Sequence, residues 1–347
     1  MKRERGECRK QGHFPRISTL AIPKGALYRD GWIAMKAFIT GGAGFIGSQI
    51  AEAVCSRGGR VIVLDNLSLG SLKNLVWRKP GDALDFVDGD IRDTELLGKL
   101  LPGCDAVFHH SALPSVPMSV EKPVETNQQN LDAALQLLVA ARDAKVRRLV
   151  FASSSAVYGD SEVSPKNEDL APNPLSPYAL QKYAAERYGQ MFYQLYGFEA
   201  VGLRYFNVFG PRQSFNSPYS GVIAKFCTTV LQKERPMIFG DGLQSRDFIY
   251  IENVVNANLL AAEAPAENAA GKIFNVAGGQ SINLVQLVDE LNRLTGQSLQ
   301  PHFHPPRTGD VRSSLADITR IQSALGYEVK VPWQEGLSRT LDFYKAD

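Results

Sequence analysis

Cysteine is scarce in this chain, and histidine nearly as scarce. The four cysteines, Cys8, Cys55, Cys104 and Cys227, are scattered with no metal-type spacing. That excludes a zinc ribbon or a disulfide scaffold and reads as the reduced, structural thiols of a cytoplasmic protein. Of the five histidines, His109 and His110 end an apparent strand, while His302 and His304 alternate beside two prolines. Neither pair has cysteine or carboxylate company, so no metal is expected. Also missing are an apolar run long enough to cross a bilayer and a signal peptide with a hydrophobic centre; no membrane partner is expected.

Charge of one sign is missing too, except at one end. The formal net charge is +2, yet residues 1–34 hold eight Lys/Arg against three Asp/Glu, a net +5 that leaves −3 for the rest. A basic excess that is not spread over a folded domain argues against nucleic acid as a partner. The segment lacks clear periodicity, and Met35 directly precedes the first convincing strand. Residues 1–34 therefore read as a mobile basic extension, or as an over-long start, ahead of the folded chain. What is present has the composition of a soluble globular protein, with 347 residues of which 44% are hydrophobic and 21% charged. That length suffices for one large or two modest domains.

From Met35 onward, short apolar strands alternate with helical stretches. "KAFIT" (36–40), "RVIVLD" (60–65), "LDFVDGD" (84–90), "DAVFHH" (105–110), "RLVFAS" (148–153) and "AVGLRYF" (200–206) read as strands, and 130–144 reads as a helix. Such alternation predicts an α/β fold with a doubly wound parallel sheet. After residue 208 the rhythm breaks into a Gly/Pro/Ser-rich loop over 209–221. A helix over 283–296, capped by Asn283 and stopped by Gly296, and a closing helix near 334–345 follow. There is no internal repeat and no low-complexity tract. The expected organisation is a dinucleotide domain over 35–208 with a return segment at about 240–275. A smaller mixed α/β domain over 209–347 would close substrate against the sheet.

"KAFITGGAGFIGSQIAEAV" is strand, glycine turn, helix. Gly42, Gly44 and Gly47 satisfy G-x-G-x-x-G, and Gly41, Gly44 and Gly47 recur every three residues. Glycines there let the backbone approach a pyrophosphate at a helix N-terminus. Asp65 closes the second strand, where an acid accepts hydrogen bonds from the adenosine ribose and repels a 2′-phosphate; neither Asn66 nor Leu67 supplies the cation NADP would need. The cofactor expected is NAD on a Rossmann-type domain, the alternative being a structural glycine turn with a surface aspartate.

"SPYALQKYAAE" (176–186) opens a further helix, with Ser176 to cap it and Pro177 at its first position. Tyr178 and Lys182, four apart, share a helix face. A cation beside a phenol favours phenolate, which would lower the Tyr178 pKa and suit general base work. An ordinary amphipathic helix explains the same residues.

Taken in order, "TGGAGFIGS", "DN" at 65–66, "GDIRD" (89–93), "SSSAVYG" (153–159), "SPYALQK" (176–182), "RYFNVFGPRQ" (204–213), "SRDFIYIENV" (245–254), "FNVAGG" (274–279) and "PRTGDVRSSLAD" (306–317) resemble the extended short-chain dehydrogenase/reductase family. The resemblance runs from about Met35 to the C-terminus. Within the family the chain is most similar to the nucleotide-sugar 4-epimerases, and among these to the bacterial UDP-N-acetylglucosamine 4-epimerases. The resemblance implies Tyr178 as acid/base, Lys182 on the nicotinamide ribose depressing the Tyr pKa, and Ser154 as the hydroxyl partner. Ser153 and Ser155 then read as strand-end caps. Beside the cofactor it places Phe45, Ile46, Asn66, Asp90, Ile91, Asn130 and Tyr205, along with Gly41, Gly44, Gly47 and Asp65; Tyr158 also matches a residue of the nicotinamide site.

For substrate, the resemblance implies a UDP-sugar held by Arg246 and Arg307 at the diphosphate, Asp310 at the uridine ribose and Asn207 near the diphosphate and sugar. Ser115, Gln213, Gly221 and Val222 look like the N-acetyl-preferring type, although Pro114 stands where a Gly is more usual. A gate four residues after the Asp of "GD" is Ser314, small where enzymes limited to glucose and galactose carry Tyr. Ser155 and Ala156 stand where dehydratases and decarboxylases of this scaffold keep an extra carboxyl, and general acid chemistry needs that group within reach. Asn207 stands where glucuronate 4-epimerases show Thr. A dehydratase or decarboxylase, and a non-enzymatic NAD-binding regulator, remain the alternatives. The family also implies a homodimer through two helices of the dinucleotide domain, one of them the Tyr178 helix.

Overall fold

The structure, a computed structural model, describes residues 27–28, 32–215, 221–306 and 312–346. Seven strands form one sheet: Lys36–Thr40 (β1), Arg60–Asp65 (β2), Leu84–Asp88 (β3), Ala106–His109 (β4), Arg148–Ser154 (β5), Glu199–Tyr205 (β6) and Ile273–Val276 (β7). They lie in the order β7-β6-β5-β4-β1-β2-β3, and every pairing is parallel. The six strands read from the sequence are all present, with ends shifted by a residue or two. β7, which the sequence reading did not name as a strand, lies at the end of the 240–275 segment.

The strands are almost continuously apolar because both faces are covered. Successive residues of β1 show it: Ala37 and Ile39 join the core under the Phe45–Ser56 helix, while Phe38 joins the core formed by Leu137, Leu138 and Phe192 on the other face. The order reverses between β1 and β4, and in such sheets ligands sit beyond the carboxyl ends of the strands at that switch point.

The expected helix at 130–144 begins as a π segment, Gln128–Asp132, and continues as Ala133–Asp143. π segments often mark functional places, and this one holds Asn130. The later helix runs Leu284–Thr295 with a capping box between Asn283 and Gln286 and with Gly296 left-handed at φ 67°. The closing helix is Trp333–Ala346. These elements accompany a three-stranded sheet of Asn207–Phe209, Ser245–Tyr250 and Ser281–Asn283. One hydrophobic core runs through both regions, joining Ile50 and Val63 to Ile223, Leu287 and Leu337.

The basic extension expected over 1–34 lies largely outside the described residues. Within it, Leu27–Tyr28 pairs antiparallel with Trp32–Ile33, a pairing the sequence reading did not anticipate. No described helix is long and apolar enough to cross a membrane.

Candidate active site

The glycine turn at the end of β1 is shaped by close approach. Gly41 has φ +66°, and a Cβ there would stand 2.7 Å from the Ser111 nitrogen. A Cβ on Gly47 would land on the Gly41 carbonyl, so the helix can start tight against the strand only with glycine. The helix that follows has Gly44 as its N-cap and no side-chain cap bond. Its first N–H groups are therefore available to an anion, and the helix dipole adds to the attraction.

Asp65 closes β2 as a buried carboxylate that accepts from the Ala43 nitrogen at 2.9 Å and the Leu67 nitrogen at 2.8 Å. Burial raises its pKa while these two N–H groups hold it down. A cleft lined by Gly41, Gly44, Asp65, Asn66, Ile91 and His110 opens at the switch point. Uncapped helix, glycine cradle and acid at the second strand end fit a dinucleotide without a 2′-phosphate.

Other expected cofactor contacts have protein partners of their own. Arg92 grips Asp90 at 2.9 and 2.7 Å and holds its carboxyl down to about 2; Asn66 also donates to it. Phe45 and Ile46 pack against the core. Asn130 accepts from the Leu113 nitrogen at 2.7 Å and donates to the Leu113 carbonyl and to Gln181, so it shapes the 110–114 loop. Tyr205 donates to Asn258 at 3.0 Å and lies 3.0 Å from His110 Nε2. Tyr158 is wholly buried and donates to Asn275 at 2.7 Å; it belongs to the core.

Ser176 caps the Pro177–Tyr196 helix by accepting from the Ala179 nitrogen at 3.2 Å. Ser119 accepts from the Tyr178 nitrogen at 3.1 Å and fixes where that residue starts. The Ser154 side chain is near enough to the Tyr178 phenol to oppose the rise in its pKa, while Ser154 Oγ accepts from the Ala156 nitrogen. Lys182 is buried; its Nζ donates to the Ala152 carbonyl at 2.9 Å and lies 5.9 Å from the Tyr178 ring centre.

Two expectations are corrected here. Tyr178 was expected to have a lowered pKa, but burial raises it, opposed by the nearby Ser154 side chain. Burial also pushes Lys182 down to about 8, so desolvation outweighs the attraction between the two groups. Ser153 does not cap the strand end. It donates to the buried Glu186 at 2.6 Å, and the cap is Ser154 itself; Ser155 simply begins the short helix Ser155–Tyr158.

On the substrate side, Ser115 is 3% exposed and spends its Oγ capping the Val116–Glu121 helix. Asn207 donates to the Asp247 carbonyl at 3.1 Å, Arg246 to the Ser245 carbonyl at 2.8 Å. The Ser314 nitrogen donates to the Ser245 carbonyl at 3.1 Å, so Asn207, Arg246 and Ser314 gather along the Ser245–Tyr250 strand. Gln213 donates to Val208 and sits against Gly221, the N-cap of the Val222–Leu231 helix; its buried Oε1 has no hydrogen-bond partner among the described residues. Arg307 and Asp310 lie outside the described residues.

Sequence reasoning missed four buried polar residues that organise this region: Glu186, Arg204, Asp247 and Asn275. Asp247 accepts from the nitrogens of Gly278, Gly279 and Ala316 at 2.7, 3.1 and 3.2 Å, tying the Ser314 segment to the fold. For Asp247 the available signal was an acid set directly before the apolar run "FIYI" (248–251).

Residues 37–277 match the family model described as "NAD dependent epimerase/dehydratase family". A UDP-glucose 4-epimerase of Mycolicibacterium smegmatis is 37% identical over 313 residues, covering 90% of this chain and 99% of the relative. Among solved structures, the UDP-N-acetylglucosamine 4-epimerase from Methanobrevibacter ruminantium in complex with UDP-N-acetylmuramic acid is similar at 39% identity and TM-score 0.85, covering 90% of this chain and 99% of that one. The Thermus thermophilus UDP-glucose 4-epimerase complex with NAD is similar at 35% identity and TM-score 0.80, with the same 90% and 99% coverage.

Proposed function

The chain belongs to the NAD dependent epimerase/dehydratase family, and from that premise we propose that it is a UDP-hexose 4-epimerase. Its foremost pair is UDP-GlcNAc and UDP-GalNAc, with UDP-glucose and UDP-galactose as co-substrates that an open pocket does not reject. The observation that carries this reading is the buried Lys182, which lies 5.9 Å from the Tyr178 ring on the same helix and donates to β5 two residues before Ser154.

Tyr178 takes the sugar O4 proton, and the Ser154 hydroxyl favours its phenolate and orients O4. Lys182 supplies fixed positive charge under the ring face and a donor for a ribose hydroxyl. Bound NAD supplies hydride acceptance and return at C4. The 4-keto sugar turns over in the site and Tyr178 returns the proton to O4, so no net redox occurs and NAD stays with the protein. Ser155 and Ala156 offer no carboxyl for elimination or decarboxylation, which disfavours those two reactions. Retention of Ser154, Tyr178 and Lys182 together disfavours a purely regulatory NAD binder. The test is proton NMR of the purified protein with UDP-GlcNAc and no added NAD. Appearance of UDP-GalNAc supports the reading; no conversion of UDP-GlcNAc or UDP-glucose, even after NAD is supplied, sinks it.

The Ser314 gate gives a specificity prediction. Ser314→Tyr should lower kcat/KM for UDP-GlcNAc on the order of 10–100-fold, the cost of one crowded group, and leave UDP-glucose nearly unchanged. Competition assays with both sugars would read the ratio; an unaltered ratio contradicts the gate.

A homodimer is the proposed assembly. The Pro177–Tyr196 helix and its neighbours at 116–143 expose Leu180 (55%), Leu195 (64%), Val120 (63%) and Val124 (71%), apolar side chains that a second copy could cover. Light scattering should give twice the chain mass, and a monomer at micromolar concentration would contradict it. The free, buried thiols Cys55, Cys104 and Cys227 fit a cytoplasmic enzyme.

A further inference from the structure

Three successive residues of β5 are held by the helix that carries Tyr178. Lys182 donates to the Ala152 carbonyl, Ser153 donates to Glu186, and Ser154 meets the Tyr178 hydroxyl. Tyr178, Lys182 and Glu186 follow at four-residue spacing, so they line one face of the helix over successive turns. Glu186 is 1% exposed, and its carboxylate also accepts from Arg204 at 2.8 and 2.7 Å. Arg204 is the register partner of Ser153 across β5 and β6, and Asn275 is the register partner of Arg204 across β6 and β7. A buried polar row therefore crosses three strands one residue before the row that ends in Ser154 and Tyr205.

The row is tied to both sides of the site. The Arg204 guanidinium lies 4.7 Å over the Tyr158 ring, in the turn that follows Ser154. Asn275 accepts from Tyr158 and takes the Glu168 carboxylate on its own nitrogen at 2.7 Å. Gly189, one turn beyond Glu186, lets the helix come down on Phe151, where a Cβ would stand 2.9 Å from the ring.

We propose that Glu186 is a positioning residue for the Tyr178–Ser154 pair: with Ser153 and Arg204 it sets the height and tilt of the Tyr178 helix over the end of β5. The proposal rests on the epimerase reading for its kinetic arm and not for its spectroscopic one. Glu186 touches no reacting atom. It acts because bond-making geometry is steep in distance, a misplacement of about 1 Å costing on the order of 100-fold in rate.

Two variants separate positioning from simple stability. Ser153→Ala removes one hydroxyl and leaves the Glu186–Arg204 pair intact. Glu186→Leu with Arg204→Leu removes both charges together, a replacement that commonly preserves or raises stability. In full-length protein, Ser153→Ala should lower kcat about tenfold and the double variant on the order of 100-fold, with KM nearly constant and bound NAD retained. The acid limb of the kcat profile should move to higher pH, because a loosened Ser154 bond no longer favours the phenolate.

The second measurement does not need turnover. Carbon-13 NMR of labelled tyrosine, with the Tyr178 signal identified by its loss in Tyr178→Phe, should show that phenol titrating about half a pH unit or more higher in Ser153→Ala. An unmoved Tyr178 titration together with normal kcat in either variant overturns the proposal. An inactive wild-type protein overturns the epimerase reading instead, and the titration still decides the role of Glu186.

Discussion

Tyr178→Phe is expected to lower kcat on the order of 1,000-fold, the middle of the range for loss of a positioned acid/base, with bound NAD and thermal stability little changed. The substitution deletes one oxygen. The ring stays in its half-buried place at the head of the Pro177–Tyr196 helix, and the cap at Ser176 and the Ser119 contact to the backbone are untouched. What disappears is the hydroxyl beside Ser154, the group that in the proposed reaction takes and returns the O4 proton. Turnover of UDP-GlcNAc in parallel with absorbance of released NAD would measure both halves. A variant that epimerises within tenfold of wild type would remove Tyr178 from the chemistry.

Lys182→Met should lower kcat on the order of 100-fold while leaving the melting temperature equal or higher, a pairing that few substitutions give. Burial pushes Lys182 from its ordinary 10.5 down to about 8. Its charged form is thus less favoured in the folded protein than in the unfolded chain. Below about pH 8 the buried charge costs roughly 3 kcal/mol. Between about 8 and 10.5 the unfolded chain binds more protons than the folded one, so this group's contribution to stability rises with pH. Activity should run the other way, with an alkaline limb near pH 8 as Lys182 loses the charge that favours the Tyr178 phenolate. Methionine fills similar volume without charge, so the stability cost vanishes along with the function. A destabilised Lys182→Met, or a kcat flat from pH 7 to 10, would contradict this account.

The parts of the fold legible in the sequence are those specified by neighbours in the chain. β1, its glycine turn and Asp65 follow one another within thirty residues (36–65), each with a local reason. The helix at 284–295 announced itself by Asn283 at its start and Gly296 at its end, and the structure adds the capping box with Gln286. What stayed hidden depends on register. Nothing near Ser153 in the sequence says that Glu186 lies over it, or that Arg204 and Asn275 stand beside it in the next two strands. The error over Tyr178 has the same source: spacing reveals that a lysine is near, but burial decides the sign of the shift, and burial is a property of the packed sheet. Ser115 and Tyr205 each have a protein partner for the hydroxyl, pairings set by packing that the motif does not show.

The most direct measurement follows the hydrogen on C4. UDP-GlcNAc deuterated at C4 would be incubated in ordinary water with the purified protein and no added NAD, and the products read by NMR and mass. The account predicts UDP-GalNAc with the deuterium still on C4, since the hydride is returned to the same sugar carbon and only the O4 proton passes through Tyr178. Deuterium lost to solvent, or a product altered at any carbon other than C4, would contradict it.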